Sequence, residues 1–324
     1  MGLKAILGAS ALALGVSMLG LTIPAQASDK HVAITQIVEH PALDACRNGV
    51  QDGLAAAGFK VGENLKWSYE SAQGNPATAA QVAKKFAGEA PDVIVAISTP
   101  SAQTVAASAR HIPLVFTAVT DPLGAKLVKN LDKPGKLITG ITDLSPINKH
   151  VELVQQIVPG VKRLGVIYNP GETNSVTLVS MLHTEAKAHG LTVVEAAATK
   201  SGDVLAAARS LVGKADAIYI PLDNTVVSAL EAVIKVAEQN DLPLISGDTD
   251  SVGRGSIAAV GFNYYDVGLQ TGKMVARVLN GEKPGDIAVE SVQKLELYLN
   301  PAAAERMGVK LSDELIASAK EIVK

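Results

Sequence analysis

The chain has 324 residues, a formal net charge of −3, 48% hydrophobic residues and one cysteine. With no basic run, this balance argues against nucleic acid or an anionic membrane surface as partner. A lone Cys46 makes no internal disulfide, and the length favours two domains over one.

The N-terminus reads as a signal peptide over residues 1–27. Lys4 supplies a positive start, Ala5 to Leu21 is apolar and uncharged, and Ala25-Gln26-Ala27 is an A-x-A cleavage site before polar Ser28-Asp29-Lys30. The expected product is a periplasmic protein cleaved after Ala27. The apolar run is short for a membrane anchor, and no cysteine follows it to carry a lipid.

Beyond residue 30 short β-rich runs alternate with helical stripes. His31–Ile37, Leu65–Tyr69, Val93–Ile97 and Leu114–Thr117 read as strands; helices are expected over Pro41–Ala57, over Pro76–Gly88 and from Pro100. The strands are continuous Val/Ile runs, as a parallel sheet covered on both faces requires. Cys46 falls on the apolar stripe of the first helix and reads as a buried structural thiol.

After Asp143 the pattern restarts. Ser145-Pro146 opens a helix with the stripe Ile147, Val151, Val154 and Val158, and Pro159-Gly160 stops it. Strands follow at Leu164–Tyr168, Leu191–Glu195, Ala217–Ile220 and Leu244–Ser246, with helices between them. The halves match in their signals: Pro91-Asp92-Val93-Ile94 and Ile112-Pro113-Leu114-Val115 before Thr120-Asp121 parallel Ala215-Asp216-Ala217-Ile218 and Leu242-Pro243-Leu244-Ile245 before Thr249-Asp250. The expected fold is α/β, two similar doubly wound parallel-sheet lobes joined by a hinge, with a ligand cleft at the carboxyl ends of both sheets.

Several segments resemble the ABC transporter substrate-binding family that includes tryptophan- and phenylalanine-binding members. These are Ser98-Thr99-Pro100-Ser101-Ala102-Gln103, Thr120-Asp121-Pro122, Asn169-Pro170-Gly171-Glu172, Pro221-Leu222-Asp223-Asn224, and Asn263-Tyr264-Tyr265-Asp266-Val267-Gly268 after Asp248-Thr249-Asp250-Ser251-Val252. The resemblance runs from about His31 to the C-terminus. It implies a type I periplasmic binding fold with three crossovers, expected near 144, 263 and 284. Lobe 1 is then 28–143 plus about 264–283, and lobe 2 is 144–263 plus about 284–324. The last forty residues have no clear place.

Each of these motifs but the last follows an expected strand and precedes a helix, where N–H groups and the positive helix end suit an anion. Ser98, Thr99, Ser101 and Gln103 fit a carboxylate, or Ser and Thr simply cap the helix. Thr120 belongs to the same set of loop residues, while Asp121 before Pro122 reads as turn chemistry. Asn169, Asn174 and Ser175 face them from lobe 2 as ligand contacts or caps; Glu172 reads as a solvated loop charge. Asp223 and Asp250 are the acids expected to hold an ammonium group, with capping and loop support as their alternatives. Tyr264 at the hinge would shield a side chain. The first β–α loop, Glu39-His40-Pro41-Ala42-Leu43, is expected to govern side-chain selectivity, with His40 and Pro41 as its candidate contacts and His40 either packed on ligand or exposed. No first-lobe loop carries an arginine to clamp a carboxylate; Arg254 is the nearest candidate.

Enzyme signatures are lacking. The six histidines show no metal spacing, and there is no H-E-x-x-H, G-x-S-x-G or G-x-x-x-x-G-K-[ST]. No catalytic residue, metal or cofactor is expected. The expected function is capture of a small solute, an amino acid with an apolar or aromatic side chain, for an ABC permease by hinge closure. The alternatives are a periplasmic sensor for a receptor kinase and a binder of a non-amino-acid solute. A monomer is the default.

Overall fold

The computed structural model describes residues 29–323, together with Met1 and Gly2. The expected signal peptide and its cleavage site lie outside the described residues. Within them no helix is long and apolar enough to cross a membrane.

The first lobe is built from β1 (Lys30–Gln36), α1 (Pro41–Ala56), β2 (Leu65–Ser71), α2 (Pro76–Glu89), β3 (Val93–Ile97), α3 (Thr99–Ser108), β4 (Leu114–Val119) and β5 (Ile138–Thr142). β3 and β4 are buried at every position, because helices cover both faces of the sheet. The chain then crosses to the second lobe. There α4 (Ile147–Ile157), β6 (Arg163–Tyr168), α5 (Thr173–Ala188), β7 (Thr192–Ala197), α6 (Val204–Leu211), β8 (Ala217–Ile220), α7 (Asn224–Val227), α8 (Leu230–Gln239), β9 (Leu244–Ser246), α9 (Asp250–Arg254) and β10 (Ala258–Gly261) follow.

The duplication read in the sequence is present in the topology. The first sheet contains the run β2-β1-β3-β4-β5 and the second β7-β6-β8-β9-β10, the same order, with all pairs parallel. Each reverses direction beside its first strand, the switch point at which open α/β sheets bind ligands.

At Tyr264 the chain returns to the first lobe as α10 (Tyr264–Leu279). Gly268 and Gly272 of α10 meet α1 at Gly49 and Gly53 in backbone contact, so these two helices pack without intervening side chains. Cys46 is buried there, 3.5 Å from the Thr117 hydroxyl, and burial pushes its thiol up to about 12. β11 (Glu290–Ser291) then pairs with β5, and β12 (Glu296–Leu299) runs antiparallel to β10. The last crossover therefore lies between Ser291 and Glu296, not near 284. The strand that keeps the chain in the first sheet is two residues long and has no hydrophobic pattern. α11 (Pro301–Arg306), α12 (Asp313–Ser318) and β13 (Glu321–Ile322), which pairs with β12, give the last forty residues a place on the second lobe.

Candidate ligand-binding site

At the carboxyl ends of the two sheets the loops after β1 and β4 face those after β6, β8 and β9. Between the lobes lies a small pocket. The first lobe lines it with His40, Ala42, Leu43, Ala118 and Thr120; the crossovers add Asp143 and Tyr264; the second lobe adds Asn174, Leu222, Asp223, Asn224, Val227 and Asp248.

Three carboxylates and the His40 imidazole reach this space, and no lysine or arginine does. Asp143 accepts hydrogen bonds from the Tyr264 hydroxyl at 2.7 Å and the Thr120 hydroxyl at 3.2 Å. Asp223 accepts from the Asn169 and Val226 amides at 2.6 and 2.8 Å and from the Ser175 hydroxyl at 2.6 Å. Asp248 accepts from the Ser251 amide and hydroxyl at 2.8 and 2.7 Å. All three are buried, and burial raises the pKa of each against these hydrogen bonds; at Asp223 the charge of Glu172 adds to it. Arg254, the nearest guanidinium, is spent on Glu231 at 2.8 Å and on the Val227 carbonyl at 2.7 Å. His40 is held neutral, its pKa lowered to about 3 by burial and by Arg254. A carboxyl buried without a counter-charge stays protonated or takes a cation from outside the chain, so this wall suits a cationic group.

The same loops hold polar atoms that lack partners. Among the described residues the buried side-chain atoms without a hydrogen bond are Thr35 Oγ1, His40 Nδ1, Ser98 Oγ, Thr99 Oγ1, Ser101 Oγ and Asn174 Oδ1. Three of these are hydroxyls at the start of α3, whose first turn also presents free amides. Ser98 makes no side-chain cap and sits at φ +82°, and Ala118, in the lining, sits at φ +52°. Such backbone costs about 1–3 kcal/mol per residue and concentrates at ligand sites.

Of the residues singled out in the sequence, His40, Thr120, Asn174, Asp223 and Tyr264 line the space. Ser98, Thr99 and Ser101 are buried with free hydroxyls but stand outside its lining. Pro41 is exposed at the start of α1, because His40 is the residue that turns inward. Gln103 donates to the Ala125 carbonyl and to the Thr173 hydroxyl. Asn169 bonds Thr225 and Gly171, and Ser175 serves Asp223, so both support the loops without lining the space. Asp250 opens α9 outside the lining; the inward acid is Asp248, two residues earlier, and Asp143 is a further one. Glu172 is not solvated: it is buried and accepts from the Asn224 and Thr225 amides at 3.1 and 3.0 Å and from the Thr225 hydroxyl at 2.7 Å. Of the apolar walls, Leu43 lies in the loop expected to govern selectivity, while Leu222 and Val227 were not singled out as ligand contacts.

A family model described as ABC transporter substrate binding protein matches residues 31–323. The chain belongs to that family, one of solute-binding proteins. It is 41% identical over 271 residues to a tyrosine-binding protein of Clostridioides difficile, covering 84% of this chain and 79% of that one. Among solved structures, the ABC domain from Streptococcus pneumoniae in complex with L-Trp superposes with a TM-score of 0.88 at 33% identity, covering 91% of this chain and 100% of that one. A ligand-free, open substrate-binding protein with adhesive properties from Clostridium difficile gives 0.68 at 38% identity, covering 91% and 99%. The identity to the open protein is the higher of these two, yet its TM-score is the lower. This substrate-binding protein superposes more closely on the Trp-bound relative than on the ligand-free, open one.

Proposed function

We propose that this protein captures an L-amino acid with an aromatic side chain in its interlobe cleft and hands it to an ABC permease, after export to the periplasm and cleavage behind Ala27. The observation that carries this reading is the pairing of three buried carboxylates with no lysine or arginine in the lining of the cleft. An α-ammonium group meets that need with short charge-assisted hydrogen bonds to Asp223 and Asp248, and Asn174 Oδ1 adds a free acceptor. The amides and unpartnered hydroxyls at the start of α3 lie outside the lining of this space but suit the α-carboxylate of a ligand that reaches them, which would account for the lack of an arginine clamp. Leu43, Leu222, Val227 and Tyr264 supply the apolar surface for a ring. The tyrosine-binding and Trp-bound relatives point to the same ligand class.

Closure follows from the same contacts. The acids of the second lobe and the α3 turn of the first are brought together only when the lobes meet, so a zwitterion that bridges them favours the closed state by its differential affinity.

The test is a melting-temperature panel of the purified chain against the twenty common amino acids, followed by calorimetry. A ligand at a hundred times its dissociation constant stabilises the folded state by about 2.7 kcal/mol, a readily measured shift. The reading requires the largest shift from tyrosine, tryptophan or phenylalanine. A shift confined to sugars or to carboxylates without an amine contradicts it.

A further inference from the structure

The arrangement of the lobes, read as closed from its closer fit to the Trp-bound relative than to the open one, has few direct links of its own. Among the described residues no salt bridge joins the lobes, and one hydrogen bond away from the crossovers does: Gln103 Nε2 of α3 donates to Thr173 Oγ1 at the start of α5, at 3.3 Å. The second hydrogen of the same amide is given to the Ala125 carbonyl, at 3.2 Å, within the first lobe. Ala125 thereby holds the Gln103 side chain toward the second lobe. Both Gln103 and Thr173 are half-buried, and neither lines the ligand space. Leu222, packed against the cores of both lobes, adds apolar contact but no direction.

We infer that Gln103 and Thr173 form a latch that sets the lifetime of the closed state without touching the ligand. The bond exists only when the lobes meet. An open protein meets its ligand before the bond forms, and must break the bond to let the ligand go. The pair therefore acts on release and not on capture. A half-buried neutral hydrogen bond is worth a change of about 2- to 10-fold. The inference concerns closure and does not depend on which amino acid is bound.

Stopped-flow kinetics with L-tryptophan and L-tyrosine test it on the wild type, Gln103→Leu, Thr173→Val and the double variant. Thr173→Val keeps the shape and removes the acceptor; Thr173→Ser keeps the acceptor. The latch predicts that each single variant speeds dissociation by about 2- to 10-fold with association unchanged. The double variant should be no faster than Gln103→Leu, and Thr173→Ser should behave as wild type. The factor should be the same for both ligands. Additive effects, a changed association rate, or wild-type dissociation in Thr173→Val each overturn it.

Should the wild type bind neither amino acid, the proposed ligand class fails while the latch stays open to test. Dyes at Lys60→Cys and Lys214→Cys, exposed positions on different lobes, then report closed-state dwell times in the ligand-free chain, with native Cys46 buried. Dwell times shortened by Thr173→Val uphold the latch, and equal ones overturn it.

Discussion

Replacing Asp223 by asparagine separates the carboxylate's binding role from its structural one. In the native site Oδ1 accepts the Val226 amide, and Oδ2 accepts the Asn169 amide and the Ser175 hydroxyl. Asparagine keeps one acceptor, and in either orientation its NH₂ faces a backbone N–H. One lost bond of this kind costs about 1–3 kcal/mol. Above its raised pKa the carboxyl is a buried charge that repels Glu172, and there the substitution offsets part of that cost. The net loss of folding stability is therefore about 1 kcal/mol or less. Binding has no such offset. Truncating one partner of a buried charge pair costs about 2–5 kcal/mol, a weakening of about 30-fold to several thousand-fold. Calorimetry with L-tryptophan and L-tyrosine, run beside urea unfolding of the ligand-free chain, reads both quantities. An affinity within about threefold of wild type would remove Asp223 from the ammonium site. A large loss of stability would make its role structural.

Two further perturbations test the acid cluster and the fold. Asp250 is raised from 3.8 to about 7, first by burial and then by the charge of Asp248, and Asp223 is raised in the same direction. A carboxyl raised on folding is protonated in the folded chain where the unfolded chain is ionised. Its stabilising contribution is whole below the unfolded value near 3.8 and is lost as pH rises through about 7. The ligand-free melting temperature of Asp250→Asn should therefore gain on that of the wild type as pH rises from 5 to 8; a difference that does not change over this range contradicts the raised pKa of Asp250. Gly268→Ala places a methyl group against the Cys46 carbonyl and 2.9 Å from Gly49 Cα, so α10 must move off α1. Overpacking of this kind costs about 1–3 kcal/mol. An unchanged denaturation midpoint would refute the helix contact.

The architecture was legible because it is local. Each β–α unit announces itself by a Val/Ile run, a polar turn and a helical stripe, and two such series in one chain imply two sheets. The site was legible only as a set of loops. Whether Asp248 or Asp250 turns inward depends on where the short helix α9 begins, since Asp248 spends itself on the Ser251 amide and hydroxyl to close that turn. Asp143 gains its place from a hydroxyl 121 residues away, at Tyr264. Glu172 is buried because the start of α7, some fifty residues on, offers it amide and hydroxyl donors. Gln103 looked like a ligand contact because its motif stands at a strand end, yet its amide is taken up by Ala125 and Thr173. Such pairings are set by tertiary structure and leave no mark on the local sequence.

The central claim is that the carboxylate wall of the cleft receives an α-ammonium group. Its most direct test is calorimetric titration of the ligand-free protein with L-tryptophan and with indole-3-propionate, which has the same ring and carboxylate but no amine, and likewise with L-tyrosine and 3-(4-hydroxyphenyl)propionate. The account predicts one-to-one binding of the amino acid and at least about 100-fold weaker binding of the analogue without the amine. Equal affinity for the two members of a pair, or tighter binding of the amine-free one, would contradict it.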